Sequence, residues 1–215
     1  MRKARNVAGT AVLGCITLAL PGCGDPVPPA AQAGISIHLQ EYDRNTMPEH
    51  KDHVCPPARH WVNVPWMKDK DPTNQPQNTS ASDPGQIAVN NQDGNAVRCT
   101  VKPKGSGFDV TGHGVGYATN SSMMKISNSI IDIRIPQIGS GDSNATGTVS
   151  VQDYASLVPY QSSECSFSVS GSNLAVDAGK IWGRVHCENL HDMKSPDAFC
   201  LVDDGYFIFE NCATQ

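Results

Sequence analysis

After residue 34 polar and apolar residues alternate singly along much of the chain. Ile35, Ile37 and Leu39 are interleaved with Ser36, His38 and Gln40, and His60-Trp61-Val62-Asn63-Val64 repeats the pattern until Pro65 stops it. A period of two sends successive side chains to opposite faces of a strand, so each run predicts a strand with one buried face. Val97, Cys99 and Val101 share a face, and Ile131, Ile133 and Ile135 alternate with Asp132 and Arg134. Phe108-Asp109-Val110, Thr146–Val151, Cys165–Ser170, Lys180–Cys187 and Tyr206–Cys212 carry the same mark. Residues 123–135 read as one strand in which Ile126 and Ile130 fall out of phase, which predicts a bulge. Asp93-Gly94 predicts a hairpin turn, and Lys104-Gly105-Ser106-Gly107 a second reversal. No stretch keeps a 3.6-residue period between caps. The expectation is an all-β domain of roughly nine or ten short strands, an antiparallel β-sandwich or barrel-like fold.

The first 34 residues follow another pattern. Arg2, Lys3 and Arg5 precede an uncharged apolar or small stretch from Val7 to Leu20. That stretch is about 14 residues, short of the ~20 that span hydrocarbon as a helix, so it reads as a cleaved export signal. Leu20-Pro21-Gly22-Cys23 resembles a bacterial lipobox, with Pro21 departing from the commoner residue at its place. The resemblance implies a thioether-linked diacylglycerol on Cys23, cleavage before it, and acylation of the new amine, commonly by palmitate. The expected organisation is a signal peptide over 1–22, a lipidated Cys23 with a Pro- and Ala-rich tether over 23–34, and a globular domain over 35–215 with a long polar loop at about 67–86. The expected partner is a membrane, reached through the lipid. Gly24 is not the aspartate that retains enterobacterial lipoproteins at the inner membrane, which favours the outer membrane of the cell envelope.

Charge narrows the function classes. From Cys23 onward 13 of the 16 Lys and Arg remain against all 21 Asp and Glu, a formal charge of about −8. Such a balance disfavours binding to nucleic acid through bulk electrostatics.

Eight cysteines become six once Cys15 leaves with the signal and Cys23 is lipidated: Cys55, Cys99, Cys165, Cys187, Cys200 and Cys212. An even number in an exported chain reads as three disulfides, with 15 connectivities open to sequence alone. The favoured map is Cys55–Cys99, Cys165–Cys212 and Cys187–Cys200, the last pinning the ends of Glu188–Phe199, which reads as a loop. The rival pairs Cys165 with Cys187 across a hairpin near Gly171–Gly179 and leaves Cys200 to Cys212.

Signatures of chemistry are sparse. The chain holds no G-x-S-x-G, H-E-x-x-H or EF-hand loop. Gly141-Asp142-Ser143 matches the start of a GDS esterase block, but no D-x-x-H follows, so it reads as a turn. His50, His53, Cys55 and His60 cluster as metal donors would, yet their spacing fits no fixed site and Cys55 is assigned to a disulfide. Asn90 to Asn95 offers oxygen ligands for Ca²⁺, which a hairpin turn explains equally. Trp61, Trp66 and Asn63 would suit a ligand platform, although Trp61 and Trp182 read as core residues of their strands. No catalytic, metal or cofactor residue is assigned.

Four segments carry a softer resemblance: HWVNVP at 60–65, CSFSV at 165–169, VDAGKIWGRVHC at 176–187 and YFIFENC at 206–212. Together they are similar to uncharacterised envelope lipoproteins of delta-proteobacterial, myxobacterial-like type, over roughly 35–215. The plan alone also resembles mycobacterial antigen-type lipoproteins. Both imply a shared β architecture and no activity. The expected function is that of a non-catalytic binding or structural module whose protein or glycan partner is unspecified. The alternative is a lipid-anchored, hydrolase-like enzyme.

Overall fold

The computed structural model describes residues 28–41, 55, 60–65, 87–119, 125–153, 159–195 and 198–215. The signal and lipobox, the loop at 67–86, His50, His53 and Trp66 lie outside them. The fold is all-β: eleven strands form one antiparallel sheet. They are β1 (Gln32–Gln40), β2 (His60–Val64), β3 (Ala88–Val89), β4 (Ala96–Lys104), β5 (Gly107–Thr119), β6 (Lys125–Ile138), β7 (Ala145–Asp153), β8 (Tyr160–Ser168), β9 (Ala175–Asp177), β10 (Lys180–Asp192) and β11 (Phe199–Glu210). The spatial order is β2-β1-β11-β10-β8-β7-β6-β5-β4, with β3 beside β1 and β9 beside β10. β1 starts at Gln32, three residues before the predicted domain boundary, and Ala33 and Gly34 are already buried.

The sheet folds over so that its halves face each other. A Cβ added to Gly112 of β5 would lie 2.2 Å from the ring of Phe209 in β11, five places away in the sheet, and one on Gly114 would touch Ile35 and Val64. Phe167, Phe207 and Phe209 are fully buried and form a chain of rings at 5.7 and 6.3 Å between centroids, surrounded by Ile35, Ile37, Leu39, Ile131, Ile135 and Ile181. Each ring lies against a glycine: Phe209 on Gly112, Phe207 on Gly183 and Phe167 on Gly147. A few large rings thus fill the gap between the sheet halves where the missing Cβ atoms make room. The edge strand β4 is not left bare. Ala213 donates to the Cys99 carbonyl and accepts from the Val101 amide, Gly179 donates to Val101, and the rest of the edge carries Lys102, Pro103 and Lys104. Charged and proline residues at an edge discourage further strand pairing.

Local predictions meet this frame unevenly. The register between β5 and β6 shifts after Gly116, which places the expected bulge between Ser127 and Ser129. Gly105, at φ +58°, is the first residue of the tight β4–β5 hairpin, a conformation glycine adopts freely. Asp93-Gly94 does reverse the chain with positive φ, but it joins no hairpin: β3 pairs with β1, and β4 departs to the other half of the sheet. Half of Glu188–Phe199 is strand rather than loop, because β10 runs to Asp192 and β11 begins at Phe199.

That last difference overturns the favoured disulfide map. The bonds are Cys55–Cys200, Cys99–Cys212 and Cys165–Cys187. In the β10–β11 register Cys187 faces Val202 while Cys200 faces Leu190, so Cys187–Cys200 is out of step. Cys165 cannot meet Cys212 because β10 lies between β8 and β11, whose end leads to Cys212. It continues the β8–β10 register, in which His186 faces Ser166, to sit opposite Cys187 at a Cα separation of 4.3 Å. Cys99 is taken by Cys212 where the tail returns along β4, which frees Cys55 for Cys200. The rival map holds for Cys165–Cys187 and fails for Cys200–Cys212.

Candidate functional site

The outward face of β4 to β8 carries an ordered set of polar side chains. Antiparallel register brings Arg98 opposite His113, His113 opposite Asp132, Asp132 opposite Ser150 and Ser150 opposite Gln161. One step along the strands, Thr100, Thr111, Arg134 and Thr148 form a second row. The reason is the period of two: Val97, Cys99, Val101, Ile131, Ile133, Val149 and Val151 claim the inner face, so the residues between them point outward. At the usual strand spacing the first row spans about 19 Å. The two rows line a groove of about 500 Å³.

Within it, His113 Nδ1 lies 2.7 Å from Asp132 Oδ1, and the Thr100 and Thr111 hydroxyls are 2.6 Å apart. A carboxylate only accepts, so Nδ1 carries the proton, and in the neutral ring Nε2 is left as the acceptor. This fixes one imidazole tautomer in the groove. An acyl-transfer relay needs a hydroxyl on the Nε2 side of such a pair. Here the order across the strands is Arg98, His113, Asp132, Ser150, with the serine beyond the carboxylate and arginine beside the imidazole. Arg98 and Arg134 are exposed, and neither makes a salt bridge with a described residue.

The residues singled out from sequence lie elsewhere. Gly141-Asp142-Ser143 is a tight turn: Gly141 has φ +83°, the Asp142 carboxylate accepts from Gly139 N, and the Asp142 carbonyl accepts from Val169 N. Asn90 to Asn95 is likewise self-satisfied, with Asn90 Oδ1 accepting from Val97 N. No group of three His, Cys, Asp or Glu side chains among the described residues is placed to hold a metal ion. Cys55 is spent on Cys200, and His60 sits in β2. Trp61 is buried on the outer face of β2, stacked on His38 at 4.5 Å, while Val62 and Val64 fill the interior. Trp61 is thus a buried core residue as expected, whereas Trp182 is not. Ile181 and Gly183 face inward, and the half-buried indole donates to Glu210 Oε1 at 3.0 Å under Lys180. Arg184 lies over Tyr206 on the same face.

The groove was missed because each residue looks unremarkable in its own strand. The signal lies across strands: the outward positions 98 and 100, 111 and 113, 132 and 134, 148 and 150 are all polar. Comparison with protein families, with curated proteins and with solved structures finds no match to this chain.

Proposed function

We propose that the chain is a lipid-anchored envelope lipoprotein, held to a membrane through Cys23, whose β domain is a non-catalytic binding module. The groove across β4 to β8 is the surface that receives its ligand. The observation that carries this reading is the pair of side-chain rows, which offer hydroxyl, amide, guanidinium and imidazole groups at strand spacing over five consecutive strands. Regularly spaced donors and acceptors on a rigid sheet are pre-organised, so little ordering entropy opposes binding. Three disulfides fit an oxidising compartment outside the cytoplasm. The lipobox and the short apolar run before it support the anchor, and Gly24 supports the outer membrane. A likeness to delta-proteobacterial envelope lipoproteins rests on the four quoted segments.

The test is amide chemical-shift mapping of the labelled protein against envelope saccharide and peptide fractions. Shifts confined to β4–β8, lost in Thr111→Val/Ser150→Ala, are expected. Shifts confined to the β1–β10–β11 outer face would overturn the assignment. The alternative, an anchored hydrolase, draws on the His113–Asp132 pair alone. Its mark would be turnover of an ester or glycoside that His113→Gln abolishes.

A further inference from the structure

We infer that the groove's ligand is an acidic polysaccharide, recognised through carboxylates repeated along its chain; this rests on the groove being the binding surface. The sign of charge is the first ground. The chain is acidic overall, at −5, yet the groove presents two exposed guanidinium groups without a carboxylate partner among the described residues. Its one acid, Asp132, is engaged by His113, and the nearby Lys104 is paired with Asp109 at 3.5 Å. Guanidinium forks match carboxylates in a bidentate way and are the less hydrated of the cationic side chains.

Spacing is the second ground. Arg98 and Arg134 stand two strands apart and two residues out of line, a backbone separation of about 12 Å. That suits two acidic groups along one chain better than one small anion. Around them the Thr100, Thr111 and Ser150 hydroxyls can both give and take hydrogen bonds, as sugar hydroxyls require, and His113 presents Nε2. Other polyanions fit less well. An acidic peptide gains its main-chain bonds at a free strand edge, whereas β5 to β8 are interior strands and the β4 edge is occupied by Ala213 at Cys99 and Val101. Nucleic acid needs more cations than two and broad aromatic faces for its bases, and no Phe, Tyr or Trp lines the groove.

The experiment titrates the detergent-solubilised full chain with oligogalacturonate, with the same oligomer fully methyl-esterified, and with oligoglutamate of equal charge. Oligogalacturonate should bind, weaken as salt is raised, and lose about tenfold in affinity on esterification and in either Arg98→Gln or Arg134→Gln. The ester keeps every hydroxyl, so it reads the carboxylates without any change to the protein. Equal binding of acid and ester, unaffected by either substitution but lost in Thr111→Val/Ser150→Ala, would overturn the acidic inference and leave the groove standing. Equal binding of oligoglutamate would overturn the saccharide. Saccharide binding insensitive to all four substitutions would overturn the groove itself.

Discussion

Gly112 is where the facing of the two sheet halves can be tested most sharply. A methyl group there would sit 2.2, 2.3 and 2.8 Å from Cζ, Cε2 and Cε1 of Phe209. Carbon atoms pack at about 3.5–4 Å, so the ring would have to retreat by more than about 1 Å. It has nowhere to go, being 0% exposed and backed by Phe207 at 6.3 Å. Gly112 is mid-strand without a positive φ, so alanine fits the backbone and even gains roughly 0.4–1 kcal/mol by restricting the unfolded chain. Overpacking a well-filled core costs typically about 1–3 kcal/mol and outweighs that gain. A net loss of about 2 kcal/mol is expected for Gly112→Ala, or about 4–8 °C in Tm for a domain of this size. The control is Phe209→Leu, which removes the three colliding atoms at a cost of about 2 kcal/mol of its own. In the double variant the clash is gone, so the two losses should fall short of additivity by about 1 kcal/mol or more. Urea unfolding followed by tryptophan fluorescence, with disulfides intact and slopes unchanged, reads all four corners of the cycle. Gly112→Ala as stable as the parent, or strict additivity, would refute the contact and with it the way the sheet is folded over.

Non-reducing peptide mapping should yield cross-linked pairs Cys55–Cys200, Cys99–Cys212 and Cys165–Cys187, and a Cys187–Cys200 peptide would refute the register of β10 on β11. Replacing Cys165 and Cys187 together by serine should cost about 3 kcal/mol for their separation of 22 residues, read from the urea midpoint. Removing residues 213–215 strips two backbone hydrogen bonds from β4 and should cost about 1–3 kcal/mol while raising aggregation, checked by light scattering on heating. Cys23→Ser should leave the precursor uncleaved and without acyl mass in the membrane fraction. A mature N-terminus elsewhere would sink the lipobox reading.

The strands were legible wherever side chains alternate, because a buried face writes itself into sequence at every second residue. Ile35 to Gln40 and Ile131 to Ile135 read correctly for that reason. Glu188 to Asp192 did not, since β10 changes register against β11 on either side of Cys187 and its polar run masks the single inward Leu190. The disulfides were illegible for a deeper reason. Pairing depends on which strands are neighbours, and β8 beside β10 or the tail beside β4 are long-range facts with no local trace. The groove belongs to the same class, since Arg98, Asp132 and Ser150 become a row only once register sets them side by side.

The return of the tail along β4 has a mechanical meaning. The chain enters the domain at Ala30 and Ala31, where Asn211 Nδ2 holds the Ala30 carbonyl at 3.1 Å and Asn90 N holds that of Ala31 at 2.9 Å. Next to Asn211 stands Cys212, bonded to Cys99 of β4, and β4 carries one wall of the groove. Tension between a polymer bound at Arg98 and an anchor upstream of Ala30, as proposed above, would have a short path through the Ala30–Asn211 hydrogen bond and the Cys212–Cys99 disulfide to β4. The other path runs along the chain directly into β1, flanked by β11 on one side and by β2 and β3 on the other, where hydrogen bonds would be pulled in shear and yield together. With the proposed anchor at one end and the proposed ligand at the other, the domain would act as a strain-bearing coupling between membrane and polymer.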